Sequence, residues 1–188
     1  MSPKRFALLV LASIAIVPGN ASFSRATLLR AMSLAELTSS ADRIVVGTVL
    51  SVKAAWDPTH RKIFSTIEID IEESWKGPAD VQRVTLVQPG GSVGDIEMTV
   101  QGMPSFSTRE RSLLFLQGRQ RFQVVGMGQG KRSLAWDGAS KQWLAQPSDN
   151  EGVVEVGPGA RLRQAKRGDA IPLSDLREQV RRAIGSSP

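Results

Sequence analysis

The chain has 188 residues, of which 41% are apolar and 22% are charged, a composition typical of one or two globular domains and not of a disordered tail. It contains no cysteine, which excludes disulfide bonds, thiolate metal sites and cysteine nucleophiles. Its single histidine, His60, excludes a multi-histidine metal centre. The formal net charge of +6 is compatible with an acidic partner but does not require one.

Residues 1–21 have the layout of a secretory signal peptide. Lys4 and Arg5 precede the apolar stretch Phe6–Val17, and small residues occupy the last and third-last positions before a cleavage site after Ala21. The apolar stretch is shorter than the ~20 residues that a membrane-spanning helix needs, which disfavours the alternative of an uncleaved anchor. We therefore expect cleavage near Ala21, with Ala26 as a second candidate, and a secreted or periplasmic protein.

The mature chain is expected to begin with a short helix that leads into long strands. Ser33 and Glu36 have the spacing of a capping box at a helix N-terminus. The segment Arg43–Lys53 is a nearly continuous run of apolar, often β-branched residues, which indicates a strand that does not lie on the surface. In Ile63–Glu72, apolar and polar residues largely alternate, which predicts a strand with one buried and one solvated face.

Shorter strands separated by Gly- and Pro-containing turns occupy most of the remaining chain. They are expected at Val81–Val87, at Val93–Val100, in a hairpin of Ser112–Leu116 and Phe122–Val125, and near Ser133–Trp136, Gln142–Ala145 and Val153–Val156. An amphipathic helix over Ser174–Ile184 closes the chain. The pattern predicts a mainly β protein, an antiparallel barrel or sandwich, with a short N-terminal helix and a C-terminal amphipathic helix. We divide the chain into a signal peptide (1–21), a β-barrel domain (22–157), and a basic segment with the terminal helix (158–188).

Short motifs along this pattern are shared with a known module. They are Ala41-Asp42, Val46–Val49, Lys76-Gly77, Pro89–Gly91 and Leu114–Leu116. With the order of elements, they make residues 33–130 resemble the netrin-like module of the tissue inhibitors of metalloproteinases, and also a group of uncharacterised secreted bacterial proteins. The resemblance implies an OB-type five-stranded barrel and a role in binding macromolecules. The zinc-chelating N-terminal cysteine of the inhibitors has no counterpart, because the expected new N-terminus is Ser22, so their inhibitory mechanism does not carry over.

Three Gly- and Pro-rich loops are the candidate contact surface of such a barrel. They are Trp56–His60, Gln88–Gly91 and Gly102–Phe106, and the candidate binding residues in them are Trp56, Asp57, His60, Gly90, Gly91, Pro104 and Phe106. Of the four tryptophans, Trp56 is expected to be the most exposed, because its loop is polar, and it could form a patch with Gly102–Phe106. Trp136 and Trp143 bracket a tight turn and are expected to pair across a hairpin.

Catalytic interpretations of the sequence are weak. Glu68, Asp70 and Glu72 follow one another on one face of a strand and, with Asp57, could serve a hydrolase, but the pattern fits a solvated strand face opposite basic residues such as Arg83. The glycine-rich run at 126–133 lacks the spacing of a phosphate-binding loop. We therefore expect no catalytic residues, no metal and no cofactor.

Basic residues are concentrated before the terminal helix, at Arg161, Arg163, Lys166 and Arg167. No aromatic residue follows Trp143, so this cluster lacks the stacking partners of single-strand nucleic-acid binding, and no nucleic-acid partner is expected. The sequence predicts a secreted, non-enzymatic module that binds a protein partner, an extracellular protease being one candidate. The alternative is an envelope protein that attaches to an anionic polymer or lipid through the basic cluster.

Overall fold

A computed structural model of the chain describes residues 30–147, 154–156, 162–164 and 169–185, so the predicted signal peptide lies outside the described residues. The helices are α1 (Leu34–Ser40) and α2 (Leu173–Gly185), and a single 3-10 turn covers Met127–Gly130. The strands are, in chain order, β1 (Arg43–Trp56), β2 (Ile63–Lys76), β3 (Arg83–Pro89), β4 (Gly91–Val93), β5 (Ile96–Met98), β6 (Arg111–Gly118), β7 (Phe122–Val124), β8 (Lys131–Asp137), β9 (Gln142–Pro147), β10 (Val154–Val156), β11 (Leu162–Gln164) and β12 (Ile171–Pro172).

Five of these strands close a barrel in the order β1-β2-β3-β7-β6, and β6 returns to pair with β1. The predicted fold class, a mainly β barrel with two helices, is confirmed. The sequence predicted a wholly antiparallel barrel, but the barrel is mixed. Strand β7 pairs parallel to β3 at Leu86 and Phe122. The reason is the tight β6–β7 hairpin, which reverses the chain and sends β7 back along β3 in the direction of β3.

The apolar residues of the barrel form two separate clusters. One fills the barrel interior with residues from all five strands, such as Val45, Ile69 and Leu116. The other lies outside the barrel, where Ile44 and Val46 pack beneath α1, α2 and strands β8 and β9. The first half of β1 is therefore buried on both faces, which explains its continuous apolar sequence. Strand β2 has the predicted alternation, with buried odd positions from Ile63 to Ile69.

The outer layer extends the sheet from β6 through β8, β9 and β12 to the terminal helix. Trp136 and Trp143 face each other across the β8–β9 hairpin with their ring centroids 5.6 Å apart, as predicted. The capping box of α1 is also confirmed, because the Ser33 hydroxyl accepts from Glu36 N and the Glu36 carboxylate accepts from Ser33 N. Neither helix in the described part of the chain has the length and hydropathy of a membrane span.

The segment between β3 and β6 differs most from its prediction. Val93–Val100 was expected to form one strand, but the chain turns at Gly94 and forms the hairpin β4–β5. Gly94 has a φ of 59°, a left-handed value that glycine adopts without strain, and it sits in the two-residue turn. The hairpin folds over the end of the barrel where β1 finishes and β2 begins.

Candidate functional site

A cleft of about 480 Å³, here called the end cleft, lies at this end of the barrel. Its walls are the second half of β1, the start of β2, the β3–β4 junction, and the chain from β5 to the loop Gly102–Phe106. Its lining is mostly apolar and includes Val52, Ala54, Ile67, Met98, Val100, Met103, Pro104 and Phe106. Four of the candidate binding residues therefore come together here: Gly90, Gly91, Pro104 and Phe106.

Two consecutive glycines shape the wall at the β3–β4 junction. Gly90 and Gly91 have φ values of 107° and 130°, which side-chain-bearing residues rarely adopt. A Cβ on Gly91 would lie 2.5 Å from the Ser65 hydroxyl and 2.9 Å from the Ala54 Cβ, so glycine allows β4 to approach the barrel closely. The Ser65 hydroxyl also donates to the Gly90 carbonyl at 2.7 Å, which fixes the junction to β2.

The opposite wall, Gly102–Phe106, has no regular secondary structure but is anchored at three carbonyl groups. Gly102 O accepts from Gly128 N at 2.8 Å, Pro104 O accepts from Gln88 Nε2 at 2.8 Å, and Ser105 O accepts from Lys131 Nζ. Hydrogen bonds at three separate points restrict the motion of a loop. Both walls of the end cleft are therefore held before any partner arrives, which lowers the entropic cost of binding.

A buried ion pair lies behind this loop. Lys131 Nζ is 2.6 Å from Glu110 Oε1, and the side chain of Lys131 is only 3% exposed. The same ammonium group lies 4.6 Å from the centroid of the Phe106 ring. Burial raises the pKa of Glu110, but hydrogen bonds from Lys131 and Ser133 outweigh burial and hold the pKa below its usual value. The carboxylate therefore stays ionised and keeps the lysine in place.

The candidate binding residues of the loop Trp56–His60 do not line the end cleft. Trp56 and Asp57 line a separate depression of about 430 Å³ over the outer face of β2 and β3. His60 stacks on Trp56 with ring centroids 6.1 Å apart. Trp56 and Phe106 therefore line two different cavities. Trp56 is half-buried, whereas Trp136 is 56% exposed.

Asp57 has a structural task in its own loop. Its carboxylate accepts hydrogen bonds from the Thr59 hydroxyl at 2.6 Å, Lys62 N at 3.0 Å and Arg61 N at 2.7 Å. These bonds lower the pKa of Asp57 to about 2, the Thr59 hydroxyl contributing most. An aspartate with so low a pKa does not hold a proton near neutral pH, so it cannot act as a general acid.

The three candidate carboxylates on β2, Glu68, Asp70 and Glu72, each contact a neighbouring side chain. Glu68 accepts from Ser51 at 3.0 Å, Asp70 is 3.8 Å from Arg83, and Glu72 accepts from Thr48 and Arg111 at 2.6 Å each. The predicted pairing with Arg83 is present. In the described ranges, no group of three or more His, Cys, Asp or Glu side chains is placed to hold a metal ion.

The basic cluster falls largely outside the described residues. Arg161, Lys166 and Arg167 are not described, and for Arg163 only the backbone in β11 is. The sequence pattern missed Lys131 and Glu110 altogether. Lys131 follows a glycine-rich run, and a lysine at a strand start is ordinarily a surface residue, so only the fold shows its burial.

Comparisons with known proteins were negative. No protein-family model matches the chain, and no curated protein matches it significantly. The structure defines the fold class of the chain: a closed five-stranded mixed β-barrel with two helices. Function is therefore inferred from the sequence and the structure of the chain.

Proposed function

We propose that this chain is a secreted, non-enzymatic binding module whose barrel is of the OB-type, netrin-like kind and which recognises a protein partner at the end cleft. The observation that carries the proposal is the end cleft itself. It is a concavity with both apolar and polar lining residues, between two walls that internal hydrogen bonds hold in place. Concave apolar sites with a few placed polar groups are typical of ligand recognition.

The strand order supports the OB-type assignment. The five barrel strands in chain order are β1, β2, β3, β6 and β7. The third and the fifth of them, β3 and β7, run parallel, and the first, β1, pairs with the fourth, β6, to close the barrel. OB-type barrels bind oligonucleotides and oligosaccharides with the face of their second and third strands and the loops between strands 1 and 2 and strands 4 and 5, so the end cleft is a different site on this kind of barrel. The end cleft is built from the loop after β3 and the loop before β6, together with the strands they join.

The environment of the acidic side chains supports a binding role over catalysis. Glu68, Asp70 and Glu72 form hydrogen bonds or ion pairs on the solvated face of β2, away from the end cleft. Glu110 is committed to Lys131 and the loop behind the cleft wall. These groups stabilise the scaffold, which is the role that ion pairs of this kind have most often in proteins.

A capture experiment with matched variants tests the proposal. Thr99 and Thr108 are both exposed, but only Thr99 lines the end cleft. The purified chain, Thr99→Trp and Thr108→Trp are each used to capture proteins from a secreted or periplasmic extract. We expect a protein bound by the parent and Thr108→Trp to be lost with Thr99→Trp, because the indole fills the cleft. Identical capture by all three chains would contradict the proposal.

A narrower form of the proposal takes an extracellular protease as the partner. Adding a molar excess of the chain to a secreted protease should then reduce the rate of peptide hydrolysis, and Thr99→Trp should reduce it less. Undiminished hydrolysis at saturating chain would exclude that protease and leave the binding role in place.

A further inference from the structure

Strand β1 changes partners along its length. Over Arg43–Thr48 it lies between β2 and β6. Val49 still exchanges backbone hydrogen bonds with the loop before β6, since it donates to Glu110 O at 2.9 Å and accepts from Arg109 N at 2.8 Å. Over Leu50–Trp56 it pairs with β2 alone, and within residues 30–147 no backbone hydrogen bond joins its other edge to a second segment. The second half of β1 is therefore a free strand edge.

The backbone groups on this edge can be identified from the β1–β2 register. Asp57 N donates to Lys62 O across the pair at 2.8 Å, so the backbone of Asp57 faces β2. Backbone groups of successive residues in an antiparallel pair point to opposite edges. The N–H and C=O groups of Val52, Ala54 and Trp56 therefore point away from β2, toward the free edge.

The same stretch of β1 also forms a wall of the end cleft. Val52 and Ala54 line the cleft with their side chains while their backbone groups point along the free edge. Val52 is 36% exposed and Leu50 is 39% exposed, which is unusual for large apolar side chains on a long strand. An unpaired strand edge beside an apolar cleft is what β-strand addition uses, since main-chain bonds give affinity and the cleft selects alternate side chains.

Charge narrows the chemistry of the occupant. Among the described residues that line the end cleft, Glu97 is the only charged one, and it is exposed on β5. Within the part of the chain that the structure describes, no hydrogen bond or ion pair engages its carboxylate. A basic side chain on the occupant would therefore meet an available carboxylate at the cleft rim, whereas an acidic one would be repelled.

We infer that the end cleft takes an extended peptide segment that adds as a strand to Leu50–Trp56, with apolar side chains at alternate positions in the cleft and a lysine or arginine beside Glu97. This inference rests on the proposed function and specifies how the partner is recognised. The partner is thus a protein with an extended, exposed segment of alternating apolar and polar residues that carries positive charge.

Synthetic peptides test the mode of binding directly. The probes are fluorescein-labelled nine-residue peptides that alternate threonine with valine, leucine or phenylalanine and carry a central lysine, with affinity measured by fluorescence anisotropy up to about 1 mM. The strongest binder is then N-methylated either on the apolar positions or on the alternate ones. Only one of these two sets can donate to β1, so we expect one methylated set to weaken binding at least tenfold and the other less than threefold.

A charge exchange tests the role of Glu97. Glu97→Lys should weaken binding of the lysine peptide two- to fivefold. A second peptide, with glutamate in place of the central lysine, should bind Glu97→Lys more tightly than the lysine peptide does by a similar factor. The range is small because the pair is exposed. Glu97→Gln is the matched control, and it should weaken binding of the lysine peptide while improving binding of the glutamate peptide less than Glu97→Lys does. Absence of this reciprocal change would overturn the assignment of positive charge to the occupant.

The outcomes separate this inference from the proposed function. If Thr99→Trp abolishes peptide binding while both methylated sets bind like the parent peptide, the cleft binds but strand addition is wrong. If no peptide binds at 1 mM although Thr99→Trp abolishes capture of a protein from the extract, strand addition is again wrong and the binding module stands. If Thr99→Trp changes neither measurement, both proposals are wrong. Selective loss with one methylated set confirms strand addition.

Discussion

The two halves of β1 show how one strand can serve both stability and recognition. In the first half, Ile44 and Val46 pack under the helices while Val45 and Val49 fill the barrel, and each of these residues is at most 1% exposed. In the second half, β1 has lost β6 as a neighbour, and Leu50 and Val52 are more than one-third exposed.

The physical cause of this contrast is the length of β6. Its ladder with β1 ends where Thr48 meets Arg111, and β1 continues beyond it for a further half of its length. Loop Gly102–Phe106 lines the end cleft together with this half of β1, and within residues 30–147 no backbone hydrogen bond joins the loop to β1. A shorter neighbouring strand thus leaves both a free edge and a cleft.

The largest expected effect is a cavity in the first half of β1. Ile44 is fully buried, so Ile44→Ala should lower the free energy of unfolding by about 3 kcal/mol through lost burial and an unfilled cavity. Val52→Ala, the matched change in the second half, should cost about 1 kcal/mol or less. Urea unfolding followed by tryptophan fluorescence measures both. Equal losses would show that the two halves are not distinct in packing.

The next effect concerns the ion pair behind the cleft wall. Glu110→Ala leaves the ammonium of Lys131 buried without its carboxylate, and should cost about 3 kcal/mol. The exposed pair of Glu178 and Arg181 is the control, and Glu178→Ala should cost less than about 0.5 kcal/mol. In a double-mutant cycle, Glu110→Ala with Lys131→Met should cost less than the two single changes added together. Strict additivity would mean that the pair does not couple.

A smaller effect is expected where β1 bends at its bulge in the first half. A Cβ on Gly47 would meet the Asp70 carbonyl and would lie 2.7 Å from Ile69 Cγ2. Gly47→Ala should therefore push β2 away and cost about 2 kcal/mol through overpacking. Gly138→Ala is the control, since a Cβ there meets nothing within 4 Å. Thermal unfolding of the two variants checks the difference, and a Gly47→Ala variant as stable as the parent would contradict the close strand approach.

Local signals in the sequence predicted most of the scaffold. The capping box of Ser33, the alternation of β2 and the tryptophan pair at the β8–β9 hairpin depend on residues near one another in the chain, so periodicity and spacing suffice to find them. The double burial of β1 could be read from its continuous apolar run. The strands and their turns predicted the mainly β class, and the family resemblance implied the barrel.

The features that the sequence did not predict depend on contacts between residues far apart in the chain. Sequence spacing could not show that Trp56 and Phe106 would line two different cavities, because the position of the Gly102–Phe106 loop depends on contacts between residues far apart in the chain. Nor could it show the buried Lys131, whose partner Glu110 is brought near by β6–β8 pairing. Parallel pairing at Leu86 likewise depends on where the β6–β7 hairpin docks.

The smallest expected effect is a loss of folding stability at acidic pH, caused by protonation of Glu110 behind the wall of the end cleft. The folded-state pKa of Glu110 lies below the ordinary value of 4.5, so the ionised form favours the folded state. The resulting stability is fully present above 4.5 and is lost as the pH falls from there through the folded-state pKa. The cluster around Ile44 consists of apolar residues and carries no such dependence.

Comparing the parent with Glu110→Gln isolates this contribution, since Glu36 and Asp57, whose pKa values are lowered to about 2, titrate in both proteins. The difference in unfolding free energy between the parent and the variant should shrink as the pH falls from 6 to 3. Amide exchange at Ser105, whose carbonyl Lys131 holds, should accelerate over the same range in the parent. A difference that is constant with pH would mean that Glu110 is not held ionised by Lys131, and that the cleft wall has another anchor.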